Sequence, residues 1–232
     1  MRVLCGTSGY SYTQWKGSFY PDDLPAARML SFYSERFATV EINNTFYRMP
    51  TSKMLAQWAQ KVPPGFQFAL KATQRITHQK RLKEAAELLD YFLRTTAELG
   101  PRLGPTLFQL PPQMKVDVPR LADFLALLPA GTRAAFEFRH PSWFDDAVYE
   151  ALRARAAALC VAEADELQTP LVATTDWGYL RLRRADYDVP ALFAWAERMR
   201  ALPWGDVFVY FKHEDEGKGP QLAAQLTSLF AA

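Results

Sequence analysis

Two glutamates lie within runs of sequence that are otherwise apolar. Glu137 stands in AAFEFRH, residues 134–140, and Glu41 stands in TVEINN, residues 39–44. A buried carboxylate has to be paired or hydrogen-bonded, because burying it alone costs several kcal/mol. Two carboxylates in one site can act as general acid and general base, and this chemistry needs no metal. We therefore predict that Glu41 and Glu137 are the catalytic pair of an enzyme.

Basic and polar residues occupy similar places in the other apolar runs. Lys71 ends FQFALK, Arg139 follows Glu137 by two residues, and Arg181 lies in YLRLR, residues 179–183. These cations predict a negatively charged ligand, either a phosphorylated or a carboxylated small molecule. Arg183 is either a further part of this anion site or one residue of a solvated rim. The remaining candidates for binding or orienting the ligand are Asn43, Tyr47, Gln109, Trp143, Tyr179 and Lys212.

The histidine count bears on metal chemistry. The chain has three histidines, His78, His140 and His213, whereas a multinuclear zinc centre needs several at one site. We therefore predict no metal-binding residue. One divalent cation held by oxygen ligands stays open as an alternative, although no spacing motif supports it. The acidic residues that this alternative would draw on are Glu41, Glu137, Glu163 and Asp165.

The elements that must position these residues alternate along the chain. Eight β-rich runs occur, and helical patterns separate most of them, which is typical of a parallel sheet. This number of strands in 232 residues favours an α/β fold with a single (β/α)8 TIM-type barrel, forming one domain over residues 1–232. The link between strands six and seven, ELQTPLVATTDW, is irregular and predicts a loop. The runs are RVLCGTS, TVEINN, GFQFALKA, PTLFQLP, AAFEFRH, ALCVAEAD, YLRLRR and DVFVYFKH.

Two of the helical patterns have recognisable ends. TSKMLAQWAQKV, residues 51–62, begins with Thr51 as a predicted N-cap. Residues 80–100 carry Leu82 and three further apolar residues at helical spacing, and Gly100 follows the pattern. Since glycine is favoured just after a helix, we predict one helix from residue 80 to Gly100.

A barrel brings the polar residues of different strands to one face. Side chains alternate along a strand, so Phe136 and Phe138 would face the helices while Glu137 and Arg139 point inward. The other strands repeat this pattern near their carboxyl ends, where barrel enzymes keep their active sites. For any single residue, a structural ion pair is the alternative. For the whole set we favour a partly hydrated functional site, and we expect Glu137→Gln to change stability little.

The charge balance of the chain bears on the class of its partners. The 27 basic and 25 acidic residues give a net charge of +2, which does not support a bulk nucleic-acid or membrane-surface role. The sequence shows neither a signal peptide nor a membrane-spanning run. Cys5 and Cys160 both lie in apolar runs, as buried thiols do. We therefore expect a cytoplasmic protein.

Five ordered motifs carry a family resemblance: GTSGYSYTQWKGSFYP, EINNTFYRMP, FALKATQRITH, LGPTLFQLPPQ and EFRHPSW. Together they resemble the YecE-like family, domain of unknown function 72, over essentially the whole chain. The resemblance implies a TIM-type barrel and no particular activity. Such barrels are similar in fold to the xylose isomerase and endonuclease IV group. This similarity keeps one alternative open, a nucleic-acid-binding or phosphodiester-cleaving protein of the endonuclease IV type. A barrel that binds a ligand without catalysis is a separate alternative.

Overall fold

A computed structural model describes residues 1–164, 168–184, 186–212 and 217–230. Its eight β-strands follow the eight runs expected from the sequence. In chain order, β1 to β8 are Arg2–Thr7, Thr39–Ile42, Gln67–Lys71, Leu103–Gln109, Ala134–Glu137, Ala158–Glu163, Trp177–Leu182 and Asp206–Phe211.

All of the strand pairs are parallel, and they form one sheet in the order β1-β8-β7-β6-β5-β4-β3-β2. The two ends of this order meet where Ser8 and Glu41 form a parallel bridge and Gly9 N donates to Glu41 O at 2.8 Å. Gly6 permits this close approach, because a Cβ at that position would lie 2.2 Å from the backbone oxygen of Thr39. The sheet is thereby curled into a nearly closed barrel, which confirms the predicted TIM-type α/β fold.

Helices alternate with the strands on the outside of the barrel. In chain order, α1 to α8 are Met29–Ser34, Asn44–Tyr47, Ser52–Gln60, Ala86–Thr96, Val118–Ala126, Asp146–Arg153, Val189–Arg200 and Lys218–Ser228. The predicted N-cap of α3 is confirmed, since Thr51 Oγ1 accepts a hydrogen bond from Met54 N. Asp117, Asp145 and Asp188 cap α5, α6 and α7 in the same way.

The prediction of one helix from residue 80 to Gly100 was wrong at its start. α4 begins only at Ala86, because the backbone of Arg81, Leu82 and Glu84 adopts positive φ angles that a right-handed helix cannot contain. Leu82 is nevertheless buried in the core. Its place in the apolar pattern therefore reflected burial rather than helical periodicity.

The link between β6 and β7 is irregular, as predicted. Residues 168–176, the described part of this link, contain no helix. Thr174 attaches the link to the start of β6, since its Oγ1 donates to Ala157 O at 2.7 Å and accepts from Leu159 N at 2.9 Å. A hydroxyl that bridges two backbone groups can hold a segment in place without regular secondary structure.

Two hydrophobic layers surround and fill the barrel. The outer layer lies between strands and helices and includes Phe108, Phe136 and Phe138. The inner layer fills the lower part of the barrel with Leu4, Ala69, Leu107, Ala135, Ala158, Cys160, Trp177, Tyr179, Phe208 and Tyr210. Both cysteines are free and buried. The lower barrel is packed with apolar side chains, and buried polar side chains such as Gln109 and Glu137 lie at the carboxyl ends of the strands.

A separate finding concerns membranes. Within the described ranges, none of the helices combines the length and the apolar character that crossing a bilayer would require.

Candidate functional site

Five polar side chains lie on the inner face of the barrel at the carboxyl ends of β2, β3, β4, β5 and β7. They are Glu41, Lys71, Gln109, Glu137 and Arg181, and each is less than 9% exposed. The parallel register brings Gln109 of β4 directly beside Glu137 of β5. Gln109 Nε2 consequently donates to Glu137 Oε1 at 2.9 Å. We call these five residues the mouth cluster.

Arg181 links the two glutamates of the cluster. Its Nη1 donates to Glu137 Oε2 at 2.5 Å, and its Nη2 donates to Glu41 Oε1 at 2.9 Å. The guanidinium has its donors in a fixed planar arrangement, so one side chain can serve two carboxylates. Glu41 and Glu137 are thereby held at a fixed separation by a cation between them.

Glu41 has three further hydrogen-bond donors. Ser8 Oγ donates to Oε1 at 2.7 Å, Tyr179 OH donates to Oε2 at 2.7 Å, and Asn43 Nδ2 donates to Oε1 at 3.3 Å. Ser8 was not predicted from the sequence. The signal for it was the alternation of β1, since Leu4, Gly6 and Ser8 lie two residues apart and Leu4 belongs to the inner layer.

Lys71 has an unusual environment. Its Nζ donates to Gln109 Oε1 at 2.8 Å and lies 4.0 Å from the centroid of the Phe46 ring. No carboxylate oxygen of the described residues lies within ion-pair distance of this amine. Gln109 separates the amine from Glu137, because its amide accepts from Lys71 and donates to the carboxylate. A nearly buried lysine therefore faces an uncharged amide and an aromatic ring.

Electrostatics keeps both glutamates ionised. Burial alone raises the pKa of Glu137, but the charges of Arg181 and Arg183 outweigh it and lower that pKa to about 2. Burial likewise opposes ionisation of Glu41, whereas Arg181, Ser8 and Tyr179 together lower its pKa below the ordinary value. Two carboxylates with lowered pKa values are poor proton donors near neutral pH.

The electrostatic environment of Lys71 favours the uncharged form of its amine. Burial, and next the positive charge of Arg181, lower the pKa of Lys71 to about 8 against the attraction of Glu137 and Glu41. Burial and the charge of Lys71 also lower the pKa of His78. His78 follows β3 and packs edge-on against the Phe46 ring at a centroid distance of 4.9 Å. Lys71 and His78 thus pack against one ring, and the pKa of each is lowered, which favours the neutral forms of both side chains.

Arg183 adds a cation at the edge of the cluster. Its Nη2 donates to Glu137 Oε1 at 3.1 Å, and its side chain is 20% exposed. The cluster and Arg183 together contain three cations against two carboxylates. Within the described part of the chain, the buried Nε atoms of Arg181 and Arg183 have no hydrogen-bond partner. Surplus positive charge and unused N–H donors are features of a site that can accept an anion.

Four of the predicted ligand-binding residues lie away from this network. Trp143 is fully buried, stacks on Phe138 and donates from Nε1 to Met114 O at 2.7 Å. Tyr47 lies on α2 and is 72% exposed. Arg139 and Lys212 follow β5 and β8 on the exposed surface, and neither forms an ion pair with the described residues.

The expected position of Arg139 beside Glu137 was therefore wrong. β5 ends at Glu137, and the chain then turns so that Arg139 is exposed. Arg181 and Arg183 of the seventh strand and its extension supply the charges that Arg139 was expected to provide. Sequence alternation could not identify these partners, because ion pairs across a barrel depend on which strands face each other.

Glu163, which the single-cation alternative would draw on, does not join the mouth cluster. Its side chain points out of the barrel, where Oε2 accepts from Tyr187 OH at 2.6 Å and from Trp195 Nε1 of α7 at 2.9 Å. Arg184 lies near it and pairs with Asp186. Asp165 and His213, which the sequence placed in the same region, lie outside the described residues.

The arrangement of His, Cys, Asp and Glu side chains bears on metal binding. In residues 1–164, 168–184, 186–212 and 217–230, no group of three or more His, Cys, Asp or Glu side chains is arranged to hold a metal ion. The acidic groups at the mouth are instead engaged by Arg181, Arg183 and neutral donors.

Fold and site together define an eight-stranded α/β barrel protein with a buried, charged cluster at its carboxyl-terminal mouth. The family model described as "Protein of unknown function DUF72" matches residues 4–232. The chain therefore belongs to the DUF72 family, as its motifs predicted.

Relatives agree with this assignment. The chain is 33% identical over 116 residues to UPF0759 protein YecE of Escherichia coli, a match covering 50% of this chain and 43% of that protein. It is 30% identical over 141 residues to UPF0759 protein YunF of Bacillus subtilis, covering 57% of this chain and 50% of that protein. The chain thus matches about half the length of these curated relatives.

Solved structures show the same architecture. A DUF72 family protein from Thermotoga maritima matches with a TM-score of 0.86 and 28% identity over 100% of both chains. A DUF72 family protein from Enterococcus faecalis matches with a TM-score of 0.83 over 99% of this chain and 96% of that chain. Because its identity is 17%, this second match bears on the fold alone.

Proposed function

We propose that this protein is an enzyme that binds a small anionic substrate, phosphorylated or carboxylated, at the carboxyl-terminal mouth of its barrel. The observation that carries the proposal is the charge arrangement around Glu137. Lys71, Arg181 and Arg183 surround two carboxylates, and the buried Nε donors of both arginines are unused by the described residues. An anion would satisfy donors and charge together.

The lowered pKa values divide the roles within the site. Glu41 and Glu137 stay ionised, so they serve better as fixed counter-charges that orient Arg181 than as proton donors. Lys71, with its pKa lowered to about 8, is the stronger candidate for transferring a proton. We therefore assign the acid–base role to the amine of Lys71 rather than to the two carboxylates. Gln109, Tyr179 and Asn43 hold the hydrogen-bond network in position.

Exposed cations extend the positive surface outward from the cluster. Arg139 follows β5 and Lys212 follows β8, and neither has an ion-pair partner among the described residues. Positive charge on the rim of a cleft attracts anionic molecules towards it. We assign Arg139 and Lys212 to this attraction rather than to direct contact with the reacting group.

Isothermal titration calorimetry tests the proposal. Phosphate, lactate and glycerol phosphate are titrated into the protein, with glycerol as the neutral control. The proposal expects saturable binding of at least one anion with a stoichiometry of one, and no heat of binding from glycerol. Binding at one site should also raise the unfolding midpoint, since a ligand at about a hundredfold excess over Kd adds roughly 2.7 kcal/mol to stability.

Titration of oligonucleotides and an assay for turnover separate the alternatives. A protein that bound only oligonucleotides, with affinity that fell steeply as salt increased, would act on nucleic acid instead. A barrel that bound an anion tightly without converting any compound of that class would be a ligand-binding protein. Absence of saturable binding by every anion would overturn the proposal.

A further inference from the structure

We propose that Lys71 is a catalytic nucleophile that forms a Schiff base with the carbonyl group of an anionic substrate. This inference rests on the proposed anion site and adds the chemical class of its substrate, namely aldehydes or ketones that carry a carboxylate or a phosphate. Its basis is the geometry around the Lys71 amine, which differs from that of a lysine in an ion pair.

The first observation is the partner of Lys71. Its Nζ donates one hydrogen bond, to the amide oxygen of Gln109 at 2.8 Å. Gln109 cannot easily turn, because its Nε2 simultaneously donates to Glu137 at 2.9 Å. A neutral amine keeps two N–H donors and one lone pair, so the bond to Gln109 leaves the lone pair available for attack.

The second observation is the balance of charge around the amine. Arg181, Arg183 and His78 face Lys71 from β7 and from the segment after β3, while Glu137 and Glu41 face it from β5 and β2. Each glutamate already accepts from Arg181. Desolvation and neighbouring cations are the two conditions under which lysine becomes a nucleophile near neutral pH. The lowered pKa of Lys71 agrees with both conditions.

The reaction would proceed in two steps. The Nζ lone pair forms a C–N bond to the carbonyl carbon, the C=O electron pair moves to oxygen, and a proton passes from nitrogen to that oxygen to give a carbinolamine. The nitrogen lone pair then forms the C=N bond as the C–O bond breaks. Oxygen leaves as water after taking one more proton, and the product is a protonated Schiff base.

A proton carrier is available for these steps. The His78 ring lies against the same Phe46 side chain as Lys71, and its Nδ1 is hydrogen-bonded to Thr77 Oγ1 at 2.9 Å. The second ring nitrogen can then exchange a proton with the carbinolamine oxygen. The anionic group of the substrate would bind at Arg183 and at the unused Nε donors.

Borohydride trapping tests the inference. The protein is incubated with pyruvate, glyoxylate or dihydroxyacetone phosphate, then reduced with sodium borohydride. Intact mass and peptide mapping locate any reduced adduct. We expect one adduct at Lys71 from at least one of these compounds, exceeding the adduct at the exposed Lys53 on the order of tenfold because desolvation and neighbouring cations make the Lys71 amine the better nucleophile.

Matched compounds and variants serve as controls. Lactate and glycerol phosphate carry the same anionic groups without a carbonyl and should give no adduct. Lys71→Arg keeps the charge but should abolish trapping, whereas Lys53→Arg, at an exposed position on α3, should leave it unchanged. Peptide mapping of the adduct on the parent protein does not require either variant to fold.

The outcomes distinguish this inference from the function on which it rests. If lactate or phosphate binds but no carbonyl compound is trapped at Lys71, the Schiff base is overturned and the anion site stands. Equal labelling of Lys71 and Lys53 would also overturn it, because the adduct would then reflect ordinary surface amines. If no anion binds in calorimetry, the anion site itself fails.

Discussion

Arg181 Nη1 lies 2.5 Å from Glu137 Oε2, and both side chains are shielded from solvent. The same guanidinium pairs with Glu41 at 2.9 Å. One buried cation is therefore the partner of two buried anions, and its removal would deprive both glutamates of their shared counter-charge. Removing one partner of a buried ion pair lowers the free energy of unfolding far more than replacing all the charged partners by apolar residues does.

The first prediction concerns Arg181. Arg181→Met leaves two carboxylates buried without their shared cation, and we expect a loss of about 3–5 kcal/mol in the free energy of unfolding. Urea denaturation monitored by circular dichroism measures it. Arg94→Met is the matched control, because Arg94 pairs with Asp90 on the exposed surface of α4 and such pairs contribute less than about 1 kcal/mol. Equal losses in both variants would contradict the assigned role of Arg181.

The second prediction concerns the pH dependence of Glu137. Its folded-state pKa of about 2 lies below the ordinary 4.5, so its ionised form stabilises the fold above pH 4.5, and this contribution is lost as pH falls towards 2. The difference in unfolding free energy between the parent and Glu137→Gln should therefore shrink by about 3 kcal/mol over that range. Denaturation curves at several acidic pH values measure the difference.

Glu150→Gln is the control for this measurement, because Glu150 is exposed on α6 and its difference should stay constant with pH. A constant difference for Glu137→Gln would mean that its ionisation is not coupled to folding. The burial of Glu137 replaces the sequence-based expectation that this substitution changes stability little. That expectation assumed a hydrated environment, which alternation along a strand cannot reveal.

Strand-level features were predictable from the sequence, whereas contacts across the barrel were not. Alternation placed Glu41, Lys71, Gln109, Glu137 and Arg181 on one face because it depends only on the local pleat of each strand. It could not show that Arg183 rather than Arg139 pairs with Glu137, since that depends on where β5 ends and how the chain turns. Alternation also could not show that Glu163 accepts a hydrogen bond from Trp195, because Trp195 lies on α7, far along the chain.

The third prediction concerns closure of the barrel. Gly6→Ala would place a Cβ 2.2 Å from Thr39 O, so β1 and β2 would have to separate. We expect a loss of about 1–3 kcal/mol, typical of overpacking, and weakening of the contacts that Ser8 and Gly9 make with Glu41. Gly205→Ala is the control, because its nearest neighbour would be 3.7 Å away. Thermal and urea unfolding of both variants should show a clear difference; similar values would argue against the close approach.

The fourth prediction concerns anion affinity. Arg183→Gln removes a cation that is 20% exposed at the edge of the mouth cluster. We expect the Kd of the bound anion to rise about tenfold, since charged hydrogen bonds contribute roughly 1.5–3 kcal/mol. Arg184→Gln should leave the Kd nearly unchanged, because Arg184 pairs with Asp186 and Glu163. Calorimetry on folded protein measures both, and an equal effect from the two substitutions would place the anion elsewhere.

The fifth prediction concerns Lys71 at high pH. Its folded-state pKa of about 8 lies below the ordinary 10.5, so the unfolded chain holds the proton more tightly than the fold does. The resulting destabilisation is fully present below pH 8 and disappears as pH rises to 10.5. Lys71→Met lacks this proton, so its stability relative to the parent should fall by about 3 kcal/mol across that range.

Taking the difference between two variants at each pH removes the contribution of the tyrosines, which ionise in both proteins. Lys212→Met should show a constant difference, because Lys212 is exposed. If the difference for Lys71→Met were equally constant, the amine would have an ordinary affinity for its proton. It would then be protonated almost completely at neutral pH, and neither proton transfer nor attack on a carbonyl by Lys71 would have a sufficient supply of neutral amine.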